Sequence, residues 1–228
     1  MKIHQLLGIL KEYGLRVLIL VLIYTIAISY AVLSVRTFLI NNDYQWVLED
    51  ERYSAPVYVY GVEVIKQELT CGYAVIEIFS SWAGKDITEE SLYSEKAVTS
   101  TGRKFCREMN RHFPEYITTM HKYMKNSELL TTVYESLSKG IPVPFEWAAQ
   151  YETASMIKEW TLHYSIIVGM DLPGDKITVS NPYGYVEEVS VKEFLNRTSF
   201  RAFGKMPLYY KLGFMMGIFE KNTVFIVE

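Results

Sequence analysis

The sequence predicts an α+β domain, a helical half followed by a strand-rich half, preceded by one helix apolar enough to span a membrane. Three observations carry this reading. Val17 to Val35 is an uncharged apolar run. From Gly72 to Trp82 apolar residues recur at helical spacing, with further helix starts at Thr88, Ser100-Thr101 and Ser127, and from Ile141 to the C-terminus short β-forming segments alternate with turns. That order, helices first and strands after, is the pattern of an α+β domain.

The apolar run would rise about 28 Å as a helix, close to the hydrocarbon thickness of a bilayer. Lys2, Lys11 and Arg16 precede it, and Asp43, Glu49, Asp50 and Glu51 follow. The basic flank predicts a single-pass anchor in the cell membrane, with the domain on the extracytoplasmic side. Ser29-Tyr30-Ala31 offers a small-x-small cleavage site, and cleavage there would release a secreted protein instead. The expected organisation is an anchor at residues 1–36, a linker at 37–56 and one domain at 57–228.

Net charge is −3 with both signs interspersed, so no basic face offers itself to nucleic acid. No CxxC or His-rich spacing suggests a metal, and no cofactor is expected. The two cysteines, Cys71 and Cys106, are too few for a disulfide framework. Cys106 falls on the apolar side of a helical pattern and reads as a structural thiol. His4, His112 and His121 read as solvated or interfacial.

The elements follow in order. Val57 to Val64 is β-rich and reads as an opening strand. Ala74, Val75, Ile78, Phe79 and Trp82 mark a helix that starts near Cys71 and stops at Gly84. Thr88 opens a second helix, Ser100-Thr101 precede a third, and a fourth runs from Ser127 to Leu137. Strands are expected at Ile141 to Trp147, Thr161 to Met170, Lys176 to Ser180, Tyr185 to Val191 and Thr223 to Val227. Leu172-Pro173-Gly174-Asp175 supplies a turn. Leu208 to Phe219, interrupted by Lys211, reads as core.

The chemistry sits in three places. Cys71 heads a helix, where unpaired N–H groups and the helix dipole favour a thiolate. His163 lies inside a strand, and Asn181 ends the next one. A thiol, a base and an amide to orient the base are what nucleophilic cysteine catalysis requires. Glu146, Trp147 and Trp160 flank the strands and read as packing residues and a solvated carboxylate.

These pieces resemble a C39-like peptidase domain of the papain-like superfamily. The matching segments are Gln67-x3-Cys71-Gly72-Tyr73-Ala74, Gly140-Ile141-Pro142-Val143, His163 to Asp171, and Asn181-Pro182-Tyr183-Gly184. The resemblance covers about residues 57 to 228. It implies a papain-like fold, with the Cys on a helical lobe and the His and Asn on an antiparallel β lobe. It also implies a cysteine peptidase in which Cys71 is the nucleophile, His163 the base, Asn181 its orienter and Gln67 an oxyanion-hole donor. The partner would be a peptide or protein substrate. Two departures stand out: the family usually has Asp where this chain has Asn181, and its Gln-to-Cys gap is usually longer. A papain-like amidase or acyltransferase on cell-envelope peptides, or a non-catalytic binding module, would use the same fold.

Overall fold

A computed structural model describes residues 3–41, 43–152, 158–199 and 206–228. The chain divides into two units, residues 1–40 and residues 41–228. Helix α1 (Ile3–Asn41) accounts for the first. Its Tyr13–Val32 stretch, 20 residues of mean hydropathy 2.3, has the length and composition shared by membrane anchors and signal sequences. The side chain of His4 lies outside the described residues.

The second unit begins before the segment read as the opening strand. Helix α2 (Gln45–Glu49) and a 3-10 turn at Glu51–Tyr53 bury Val47 and Tyr53. Tyr53 sits edge-on to Tyr134 at 5.2 Å, and the Asp43 carboxylate accepts from the Ser127 hydroxyl at 2.7 Å. Strand β1 is only Val57–Tyr58, paired with Met170 and Gly169. The expected strand to Val64 stops early, because Gly61 turns the chain with φ +78°.

Helix α3 (Cys71–Trp82) starts where Thr70 accepts the Tyr73 N–H at 3.2 Å. It ends where Gly84 takes φ +69°, the left-handed stop. Its inward side chains, Val75, Ile76, Ile78 and Phe79, are buried. Helix α4 (Glu89–Ser94) carries a reciprocal Thr88–Ser91 capping box. Helix α5 (Gly102–His112) and helix α6 (Asn126–Ser138) complete the helical half, with strand β2 (Thr118–His121) between them. No sequence signal marks β2. Its four residues show no alternation, and their partner is the distant C-terminal strand.

Strands β3 (Val143–Glu152), β4 (Lys158–Asp171), β5 (Lys176–Asn181), β6 (Tyr185–Val189) and β7 (Thr223–Val227) are all antiparallel. The sheet order is β2-β7-β3-β4-β5-β6, with β1 added against β4. The expected strand through Val191 ends at Val189, because Ser190 caps a further helix, α7 (Val191–Thr198), by accepting the Glu193 N–H. One core joins α3 and α5 to Tyr164, Ile166, Val168 and Phe225. Another joins α6 and α7 to Phe145, Trp147, Ile167 and Val179.

Helix α8 (Leu208–Met215) corrects the expectation of a core segment. Tyr210 and Phe214 pack against Ala148 and Met206, but Leu208, Tyr209, Leu212, Met216 and Ile218 are exposed. A short helix with apolar residues all round can bury only one face.

Candidate active site

Cys71 is the first residue of α3, the position at which a helix presents unpaired N–H groups. Gly72 is required there: a Cβ would lie 2.4 Å from Thr99 Oγ1. The Tyr73 hydroxyl donates to the Ala97 carbonyl at 2.7 Å. Together these contacts hold the 97–99 stretch against the helix start. The thiol borders a cavity of about 370 Å³ with Thr99, Glu146, Leu162, Tyr164 and Tyr210 among its walls. Leu162 and Tyr164 flank His163 on β4, so the strand carrying the expected base runs along the thiol. Among the described residues no hydrogen bond joins Cys71 to His163.

His163 is buried, 2 % exposed, and its Nε2 lies 3.1 Å from Asn181 Oδ1. The Asn181 oxygen also accepts the Tyr183 backbone N–H at 3.0 Å. Its amide nitrogen donates to Glu187 Oε2 at 2.8 Å. A backbone N–H on one end and a carboxylate on the other leave the amide one orientation. Nε2 must therefore carry the proton, and Nδ1 presents its lone pair. The Tyr183 ring stacks on the imidazole, centroids 4.1 Å apart and planes at 15°. Arg197 donates to Glu187 Oε1 and, through Nε, to the Ala148 carbonyl at 2.8 Å. Its guanidinium lies 3.4 Å above the Trp147 ring.

Gln67 and Tyr183 line a larger cavity of about 810 Å³, together with Tyr151, Trp160, Glu187 and Arg197. The Gln67 backbone N–H donates to the Pro182 carbonyl at 2.7 Å, which ties this segment to the β5–β6 turn. Its side-chain Oε1 is buried with no partner among the described residues. Gln67 thus faces the Tyr183 side, while Cys71 borders the smaller cavity.

Electrostatics revise the resting state expected from a thiol at a helix N-terminus. Burial pushes the Cys71 thiol up, and the Glu146 carboxylate pushes the same way, against the Tyr164 backbone N–H that favours the thiolate. Burial pulls His163 down to about 4, with Asn181 opposing and Arg197 adding to the effect. The resting pair is therefore a neutral thiol and a neutral imidazole. Desolvation outweighs the helix dipole because the dipole contributes only about 0.3–1 kcal/mol at a typical site.

Glu146 is no solvated carboxylate. It is 6 % exposed and lies across the β3–β4 ladder from Tyr164. Burial lifts it to about 7, while the Tyr164 hydroxyl draws it down and Glu220 adds to the rise. Trp147 is buried, its indole N–H donating to Ser165 Oγ at 3.0 Å. His112 is packed and not solvated, with Nε2 3.9 Å from Glu95 and Glu108. Cys106 is partly buried and donates to the Thr118 carbonyl. No group of three or more potential metal ligands occurs among the described residues.

Sequence reasoning missed Glu187 and Arg197. Glu187 is one of two adjacent glutamates on its strand, and Arg197 lies on a helix whose first residue was read as the end of that strand. Neither carries a signal until β6 and α7 are folded against β5.

A model of the Peptidase_C39 like family matches residues 59–208, and the chain belongs to that family. No curated protein matches it.

Proposed function

We propose that the chain is a membrane-tethered cysteine peptidase that hydrolyses a peptide bond through Cys71, His163 and Asn181. The observation that carries this reading is the His163–Asn181 hydrogen bond through Nε2, on the strand that borders Cys71, in a member of a peptidase-like family. The ring nitrogen left with a lone pair is the one a thiol proton needs.

From a neutral resting pair, His163 Nδ1 must come within hydrogen-bond reach of Sγ as substrate binds. It then removes the thiol proton as the sulfur attacks the peptide carbonyl. The backbone N–H of Cys71 and the Gln67 side-chain amide hold the oxyanion. His163 returns the proton to the leaving amine, and water, deprotonated by His163, releases the acyl group. Asn181 keeps the imidazole in plane and in one tautomer throughout.

Two experiments test this. Iodoacetamide at neutral pH should label Cys71 of the full-length chain faster than Cys106, and Cys71→Ser should abolish peptide turnover. Preferential labelling of Cys106 would sink the assignment. Alkaline carbonate extraction of membranes tests the tether: the chain should stay in the pellet, and release of a full-mass soluble species would reject anchoring through Val17–Val35.

A further inference from the structure

We propose that Glu187 is a positioning residue that acts through Asn181, so that the Asn181–Glu187 pair does the work of the single carboxylate usual in the family. This rests on the peptidase reading and adds the source of the charge behind the base. Asn181 is fully buried, and β5 and β6 set it diagonally from Glu187 on one face of the hairpin, since Asn181 pairs with Tyr185 and Val179 with Glu187. The links run in one direction. Arg197 donates to Glu187 Oε1, Asn181 Nδ2 donates to Glu187 Oε2 at 2.8 Å, and Asn181 Oδ1 meets His163 Nε2 at 3.1 Å.

Each link has a physical consequence. An ion-paired carboxylate offers only acceptors, so it pulls the amide nitrogen to itself and turns the amide oxygen toward the imidazole. Its charge also polarises the amide along the hydrogen-bond chain, which strengthens the bond that Oδ1 accepts. The negative charge reaches His163 one hydrogen bond further out than an Asp at position 181 would place it. This explains why an amide is compatible with the site. A carboxylate at 181 would face the Glu187 carboxylate at the distance where the amide now donates, and like charges that close cannot both ionise freely.

The charged and titratable groups around His163 are Arg197 from α7, Glu187 and Tyr185 from β6, Tyr183 from the turn, and Cys71 and Glu146 on the cavity walled by Leu162 and Tyr164. The Asn181 amide nitrogen donates to Glu187 at 2.8 Å and, more weakly, to the Tyr185 hydroxyl at 3.5 Å, and of these two partners Glu187 is the carboxylate.

The test reads the imidazole directly. Full-length protein in detergent micelles, labelled with [15N]histidine, has four histidines, and His163→Gln assigns the relevant signals. Wild type should show the Nε2–H tautomer. Glu187→Gln should cut the imidazolium population of His163 at pH 5 about tenfold, the effect of removing one nearby opposite charge. Adding Asn181→Asp to Glu187→Gln puts the charge directly on the ring and should return that population to the wild-type level or above. A purely structural role for Glu187 would not be rescued by a charge at position 181. Should Glu187→Gln fail to give a folded amide spectrum, the double variant is compared with wild type alone, and an imidazolium population at least as high as wild type is then required. An unchanged tautomer and population in Glu187→Gln, or no recovery in the double variant, overturns the relay. These signals do not depend on turnover. Inactivity of wild type toward peptides with the expected NMR pattern would reject the peptidase reading and leave the relay standing.

Discussion

On the β side of the site, His163 bonds to Asn181, Asn181 to Glu187 and Glu187 to Arg197, with every heavy-atom distance 3.1 Å or less. On the helix side, Cys71 is bonded by backbone N–H groups, and the Gln67 side-chain oxygen is buried with no partner among the described residues. The difference is one of when hydrogen bonds are made. In the proposed mechanism the base is fixed before substrate arrives, at the cost of burying a polar chain whose members satisfy one another. On the Cys71 side the Gln67 amide has no bond at its oxygen among the described residues, so nothing there fixes which way its N–H groups point.

The largest effects should come from breaking the two sides separately. His163→Ala is expected to lower kcat/KM by three orders of magnitude or more, on the scale of losing a general base. Gln67→Ala should cost about 100-fold if its amide is an oxyanion donor, typically worth about 3 kcal/mol. Asn181→Ala should cost roughly 10- to 100-fold, since it removes orientation and leaves the base in place. Measured on one cleaved peptide, these values rank the sides. Full activity in Asn181→Ala would mean that Tyr183 stacking alone orients the ring, and no loss in Gln67→Ala would move the oxyanion site to backbone donors.

The two sides also differed in how far they could be read from sequence. Cys71 at a helix start was legible because Thr70, the apolar periodicity from Ala74 and the Gly84 stop are local signals. His163 and Asn181 were legible because their strands are strongly β-forming and separated by a Pro-Gly-Asp turn. Strand β2 was invisible, because its stability comes from pairing with residues about a hundred positions away. Helix α7 was missed because Tyr185 to Val191 reads as a strand, and only Ser190 as a cap divides it. Glu187 and Arg197 followed that miss. Glu187 and Arg197 lie on β6 and α7, ten positions apart, a spacing that no strand or helix period marks, and they meet only once both elements are formed. Glu146 was misjudged for the same reason: strand alternation says which face a residue takes, not whether that face is covered.

The smallest expected effect concerns that buried carboxylate, and it contrasts the two sides through stability. Glu146, on the helix side, has its pKa raised from 4.5 to about 7. A raised carboxylate pKa means the unfolded chain loses its proton first, so Glu146 lowers stability progressively as pH climbs from 4.5 to about 7. His163, on the β side, is depressed from 6.5 to about 4. The unfolded chain then gains its proton first, and stability is lost as pH falls from 6.5 to about 4. Each contributes about 1.4 kcal/mol per pH unit in its window. Between pH 4.5 and 6.5 the two slopes have opposite signs and largely cancel. Glu146→Gln removes one of them and should leave stability that rises with pH across this window by roughly 3 kcal/mol. That corresponds to roughly 5–10 °C in Tm for a domain of this size. His163→Gln should tilt the other way. Thermal melts of the full-length chain in detergent at pH 4.5, 5.5 and 6.5 read both. The Gln substitutions also shift the baseline, but equally at all three pH values, so the slope is the diagnostic. A Glu146→Gln curve parallel to wild type would show that Glu146 titrates as an ordinary surface carboxylate, and the thiol would then lie in wetter surroundings than its walls imply.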